Sequence, residues 1–170
     1  MDFPTHLYID GALAKGTGQR DIINPATEEV LVTVSTAGLD DAERALQAAS
    51  AAFPAWAATS VATRQMWMRS LRDEVIANET FLRDCVHNEM GKPWAQTEED
   101  WDRLVVSLDF YAEEIARISD YGISDRAGTH THRMVHEPAG VAVAFLAWKL
   151  KPSIGIKVVE RSSKCSCFKV

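Results

Sequence analysis

His136-Glu137-Pro138-Ala139-Gly140-Val141-Ala142-Val143-Ala144-Phe145-Leu146-Ala147-Trp148 is the stretch whose reading decides the fold. A Pro-x-Gly break opens it, and an uncharged apolar run follows from Val141 to Trp148. A short apolar run behind such a breaker reads as a strand buried on both faces, the kind found inside a parallel sheet. The run ends at Lys149-Leu150-Lys151.

Upstream, the chain divides into a strand-rich start and a helical middle. His6-Leu7-Tyr8-Ile9 leads into Asp10-Gly11, a hairpin turn signal, and Lys15-Gly16-Thr17-Gly18 marks a second turn. Asp21-Ile22-Ile23 is broken by Asn24-Pro25-Ala26-Thr27 before Val30-Leu31-Val32-Thr33-Val34. Asp40 or Asp41 is the expected cap of a first helix, with Ala42, Ala45, Leu46, Ala49, Ala52, Phe53 and Trp56 on one buried face. A second helix is predicted from Thr63 to about Asn78, with Trp67, Leu71 and Val75 on its stripe. The third runs from Glu79 to Met90, with Leu82, Cys85, Val86 and Met90 inward; Gly91 closes it and Pro93 prevents its continuation. The fourth runs from about Trp94 to Ser119, its stripe being Trp101, Leu104, Val105, Leu108, Tyr111 and Ile115. Glu98-Glu99-Asp100 reads as a solvated face near a helix N-terminus, where acids suit the dipole. Tyr121 to Gly128 reads as a polar connector, and Thr129 to His136 as a half-exposed strand.

Composition narrows the function. The 170 residues carry a net charge of −6, which argues against nucleic acid as a partner, because phosphates demand a basic face. No apolar run approaches the ~20 residues of a membrane helix, and Met1-Asp2-Phe3-Pro4 has neither the basic nor the apolar part of a secretion signal. Three Cys make no disulfide framework, so a cytoplasmic location is expected.

Three pieces, Asn24-Pro25-Ala26-Thr27, Glu89-Met90-Gly91-Lys92-Pro93, and Glu137-Pro138-Ala139-Gly140-Val141 through Trp148, stand in an order and at intervals that resemble the NAD(P)-dependent aldehyde dehydrogenases. The resemblance runs from about His6 to Trp148. It implies an α/β fold: an N-terminal hairpin region, a four-helix block, then the start of a Rossmann-like parallel sheet. It also implies three divisions: residues 1–128 as the N-terminal part of a cofactor domain, 129–138 as a strand of an oligomerisation hairpin, and 139–170 as the first sheet strand with a degenerate continuation. By match to the family, Leu146, Ala147 and Trp148 would line NAD or NADP at the carboxyl end of that strand, where open α/β sheets bind ligands. Lys149 stands where the family places an oxyanion-binding Asn, and Lys169 would be the ribose-binding Lys. Glu160-Arg161-Ser162-Ser163-Lys164 departs from the family's small apolar residues, as a local reading-frame disturbance would make it.

Aldehyde oxidation needs a thiolate nucleophile, oxyanion donors, a carboxylate base and a bound nicotinamide. No catalytic residue is assigned, because the family's Cys and Glu would lie beyond Val170. A Lys at position 149 donates hydrogen bonds, but its long stem does not reproduce a short preorganised amide. Cys85 lies on a predicted apolar stripe, where an inert buried thiol is the expectation. Cys165 and Cys167 make half a zinc site at best, and His130, His132 and His136 share one solvated strand face, so no metal is expected. Three functional readings stand side by side. The chain is the N-terminal piece of such an enzyme, inactive alone; or a module that associates with a full-length relative; or a remnant without selected function. A homo-oligomer or a full-length dehydrogenase is the expected partner, and self-association of the isolated chain follows from the apolar strand's missing neighbours.

Overall fold

The computed structural model describes residues 5–118 and 120–145. The elements run β1 (Leu7–Ile9), β2 (Ala12–Ala14), β3 (Gly18–Ile23), β4 (Val30–Thr36), α1 (Leu39–Ala57), α2 (Val61–Ala77), α3 (Glu79–Met90), α4 (Trp94–Arg117), β5 (Tyr121–Ser124) and β6 (Thr131–Met134). This is an α/β chain. Its described strands form three separate two-stranded antiparallel ribbons, β1–β2, β3–β4 and β5–β6.

Local chemistry sets each ribbon. Ile9 faces Ala12 across a two-residue turn. Asp10 and Gly11 both take positive φ there, 53° and 75°, as a turn matched to the strand twist requires. Between β3 and β4, Asn24 folds the chain back: its Oδ1 accepts from the Ala26 amide at 2.9 Å, and its own amide donates to the Glu29 carbonyl at 2.9 Å. That is the Asx geometry for which Asn is favoured in turns. The inner face of this ribbon buries Ile22.

Helix α1 begins earlier than the acids suggest. Gly38 is its N-cap, and Asp41 reaches back from the first turn to accept the Gly38 amide at 3.0 Å while pairing with Arg44. Only a narrow line of α1 is buried, Asp41, Ala45 and Ala49, whereas Ala42, Leu46 and Ala52 are exposed. The expected broad apolar face is therefore corrected to an i, i+4, i+8 seam of small side chains. In α2, Ser60 caps the start by accepting from the Thr63 amide at 3.1 Å. Its buried line runs through Met68 to half-buried Val75, and not through Trp67 and Leu71, which are 43% and 38% exposed. Two charged pairs accompany the shift. Arg72 Nε meets Asp109 of α4 at 2.7 Å and Arg69 meets Glu113 at 2.8 Å, so charged pairs at the surface also join this side of α2 to α4. Trp67 instead stacks on Trp56 of α1, ring centroids 5.1 Å apart and 12° from parallel.

Helix α3 matches the predicted span, although none of its residues is fully buried. Gly91 ends it in the left-handed region, φ 67°, and a Cβ there would lie 2.8 Å from Pro25 Cγ, so both backbone and space demand glycine. Helix α4 supplies the core: Leu104, Leu108, Ala112 and Ile115 pack with Met68, and Val75, Trp101 and Tyr111 close over them. Asp100, expected on a solvated face, is only 4% exposed. The Lys92 ammonium pairs with it, which gives the buried carboxyl a charged partner where water hardly reaches.

Two expectations past α4 change. Tyr121–Ser124 is a strand and not a connector, because Thr131–Met134 pairs with it through all four residues. All eight residues of this ribbon are exposed. Residues 139–145 carry no strand, since no described strand lies beside them to take their backbone groups; the rest of the predicted strand lies outside the described residues.

Asp100→Ala should destabilise the chain by about 3 kcal/mol or more, since it strands a largely buried ammonium. Asp109→Ala, at an exposed pair, should cost less than about 1 kcal/mol. Urea unfolding of the two variants reads the difference, and equal losses would contradict the burial argument.

Candidate functional site

Two of the motifs singled out from sequence meet in space. The Asn24-Pro25 turn lies against the end of α3: Asn24 Nδ2 approaches Asn88 Oδ1 at 3.4 Å, and Pro25 covers Gly91. The following residues then lock α3 to α4. His87 Nδ1 bonds the Lys92 carbonyl at 2.6 Å, and Lys92 reaches Asp100. Arg83 donates to Thr97 Oγ1 at 3.0 Å, pairs with Glu79 at 2.7 Å, and lies 4.6 Å over the Trp94 ring. This joint is a positioning structure. The sequence reading assigned Gly91-Lys92 only the role of a helix stop and missed the pair that Lys92 makes with Asp100.

The chain then approaches the predicted cofactor strand through the β5–β6 ribbon. Asp120 Oδ1 accepts from the His136 amide at 3.0 Å and Asp125 Oδ1 from the His130 amide at 2.9 Å. These backbone donors, with Arg133 at Asp120 and Thr129 at Asp125, hold both carboxyls below the ordinary range. Gly140 follows with φ 110°, a backbone open to glycine. Beyond it Val141, Ala142 and Ala144 are half-buried, while Phe145 is 94% exposed. Leu146, Ala147, Trp148, Lys149 and Lys169 lie outside the described residues.

Of the alternatives raised for chemistry, Cys85 and the histidines are among the described residues, whereas Cys165 and Cys167 lie outside them. Burial first, and then the nearby Glu89 and Asp84 carboxylates, push the Cys85 thiol up to about 11, the opposite of what a nucleophile needs. Cys85 is half-buried rather than fully inward. Burial also raises the Glu89 carboxyl. Among the described residues no group of three His, Cys, Asp or Glu side chains could hold a metal. No described helix is long and apolar enough to cross a membrane.

The sequence profile described as "Aldehyde dehydrogenase family" matches residues 13–154. The chain belongs to the aldehyde dehydrogenase family. It is 31% identical over 148 residues to glutarate-semialdehyde dehydrogenase of Pseudomonas putida, which covers 86% of this chain and 31% of that relative. With mouse mitochondrial succinate-semialdehyde dehydrogenase it shares 27% over 160 residues, 94% of this chain and 31% of the relative. Its fold superposes on a crystal structure of succinate-semialdehyde dehydrogenase from Burkholderia pseudomallei with a TM-score of 0.90 at 27% identity, covering 98% of this chain and 35% of that one. A betaine aldehyde dehydrogenase from Staphylococcus aureus in complex with NAD+ gives 0.89 at 25% identity, covering 98% and 34%. The chain thus spans about a third of the length of the aldehyde dehydrogenases it matches.

Two outcomes test this description. Because Asp120 and Asp125 have folded-state pKa values below the ordinary 3.8, the ribbon's stabilisation is complete above that pH and is lost as pH falls through the lower folded value. Protection of the β5–β6 amides from hydrogen exchange should follow that course, and Asp120→Asn should blunt it. Alkylation of Cys85 should be slow at pH 8 and accelerate toward pH 11; rapid labelling at pH 7 would contradict a suppressed thiolate.

Proposed function

We propose that these residues form the amino-terminal part of an NAD(P)-dependent aldehyde dehydrogenase. The observation that carries this is continuous agreement with the family in both sequence and fold across nearly the whole chain. On this reading residues 1–128 are the N-terminal part of the cofactor domain, 129–138 belong to an assembly hairpin, and 139–148 would become the first strand of a Rossmann-like parallel sheet once neighbouring strands are supplied. Leu146, Ala147 and Trp148 would form one wall of the cofactor site, and Lys169 would reach the ribose. The nicotinamide, when bound, accepts hydride from the substrate. Lys149, in place of the family's Asn, would present an ammonium to the oxyanion on a stem too mobile for a fixed donor. The reacting thiol and the general-base carboxylate would come from the two-thirds of the relatives' length that this chain does not span, so the 170 residues alone would bind weakly and not turn over.

A second reading, association with a full-length dehydrogenase, has its own support. The β5–β6 ribbon presents Tyr121, Ile123 and Met134 to solvent with no described neighbour packed on either face. An isolated two-stranded ribbon is marginal in water, and a partner strand or face would stabilise it.

Incubation of the purified chain with NAD+ or NADP+ and a panel of aldehydes should give no reduced nicotinamide. Turnover that is lost in Cys85→Ser would overturn the assignment of the missing groups. Restored turnover on mixing with a full-length relative carrying a mutated nucleophile would refute inactivity in the same way, whereas stable co-sedimentation without turnover would favour the second reading.

A further inference from the structure

An open cleft of about 490 Å³ lies at the opposite end of the chain from the predicted cofactor strand in sequence, between the β2–β3 loop and the polar outer face of the β3–β4 ribbon. Backbone contacts fix its walls. The Ser35 amide donates to the Thr5 carbonyl at 2.8 Å, which pins the segment before β1 to the edge of β4. Gly16 lies so close to β4 that an added Cβ would fall 2.1 Å from the Thr36 carbonyl oxygen, and only glycine lets the loop approach this far. That approach carries Lys15 and Thr17 to the cleft, opposite Gln19 and Ser35, which face each other across the ribbon. His6 completes the lining from the first segment.

The chemistry of the lining is selective. It holds one ammonium, one imidazole, hydroxyls and an amide, and no carboxylate, although the whole chain has 24 acids against 18 Lys and Arg. Among the described residues Lys15 forms no ion pair, whereas the other described lysine, Lys92, is spent on Asp100. The two acids nearest in register or bonding are already engaged. Asp21 takes the Thr33 hydroxyl at 2.6 Å, and Asp41 takes the amides of Gly38 and Thr17 together with Arg44. Thr33 is engaged by Asp21, and Thr5 Oγ1 and His6 Nδ1 bond each other at 3.1 Å, which leaves the Lys15 ammonium with the Thr17, Gln19 and Ser35 side chains at the open cleft. We propose that this cleft binds a small oxyanion, the phosphate or carboxylate group of a metabolite, with Lys15 as the charged contact and Thr17, Gln19 and Ser35 as neutral donors. The site goes beyond the proposed dehydrogenase reaction, since none of its residues is among those proposed above to touch the cofactor or the oxyanion.

Amide chemical shifts of the full 170-residue chain, titrated separately with inorganic phosphate and with acetate at constant ionic strength, test it. Saturable shifts confined to Lys15–Gln19 and Ser35 are expected, and Lys15→Gln should weaken binding about tenfold or more, the loss of one charge-assisted contact. Saturation by phosphate alone identifies a phosphate site; saturation by both ions identifies a general oxyanion site. Either supports the proposal. Linear shifts spread over the surface, or saturation unchanged in Lys15→Gln, would overturn it. Lys15 is exposed, so the variant reads the ligand contact; Thr17→Val, which removes one donor at nearly constant volume, is the second check.

Discussion

Asp100 sits where water hardly reaches, and the rest of the helical block depends on what it meets there. A carboxylate removed from water is costly unless a countercharge is held against it. Lys92 supplies that charge from the short link between α3 and α4. To do so, the link must leave α3 at a fixed angle, which Gly91 sets with its left-handed backbone, and the turn at Pro25 must lie close beside it. Once α4 starts in the right direction, Leu104, Leu108 and Ile115 come to face Met68, and the apolar contacts that stabilise the block can form. The ion pair contributes little net energy of its own. Its effect is to make alternative entries of α4 expensive, by leaving a buried charge unmatched in each.

The helices and ribbons are stabilised differently. The helical block has a shared interior, with Leu108 entirely enclosed. The ribbons have almost none: Ile22 is the one strand residue among those described that is buried. They hold their shape through turn chemistry, through Asp10-Gly11 and Asn24, and in the last case through two aspartates bound to backbone amides. Such elements are complete in hydrogen bonding but incomplete in packing. In the relatives whose fold this chain shares, about two-thirds of the polypeptide lies outside the superposed part, so a shortage of packing on these faces is what a family member of this extent should show.

Much of this was legible in the sequence wherever one residue type had one physical use. Asp10-Gly11, Asn24-Pro25 and Gly91 each announce a backbone geometry that few other residues tolerate, and each stands where expected. The α4 stripe was legible because its apolar positions recur over many turns and face a single neighbour. The α2 stripe was not. Periodicity weighs only apolar positions, and the Arg72–Asp109 pair that also joins α2 to α4 depends on a residue of another helix. Asp100 was hidden for the same reason, because three consecutive acids look alike until a distant lysine chooses one. β5 escaped notice because Tyr121-Gly122-Ile123-Ser124 is only four residues long and its Gly and Ser read as turn residues, although Tyr121 and Ile123 do alternate with them. Family membership was readable from three spaced motifs, and the profile match over residues 13–154 agrees. The candidate cofactor residues, by contrast, were placed by resemblance alone.

The order of pairing along the chain has a consequence for how such a protein is made. β1 pairs with β2, β3 with β4 and β5 with β6, while α4 closes on α2 and α3 just before it. Each partnership is thus finished soon after its second member leaves the ribosome. At a synthesis rate of roughly 5–20 residues per second, each such pair has time to form while the next one is still being made. Contacts this local form quickly. The helical block and the three ribbons can therefore each reach their shape from contacts close in sequence, without waiting for long-range strand pairing.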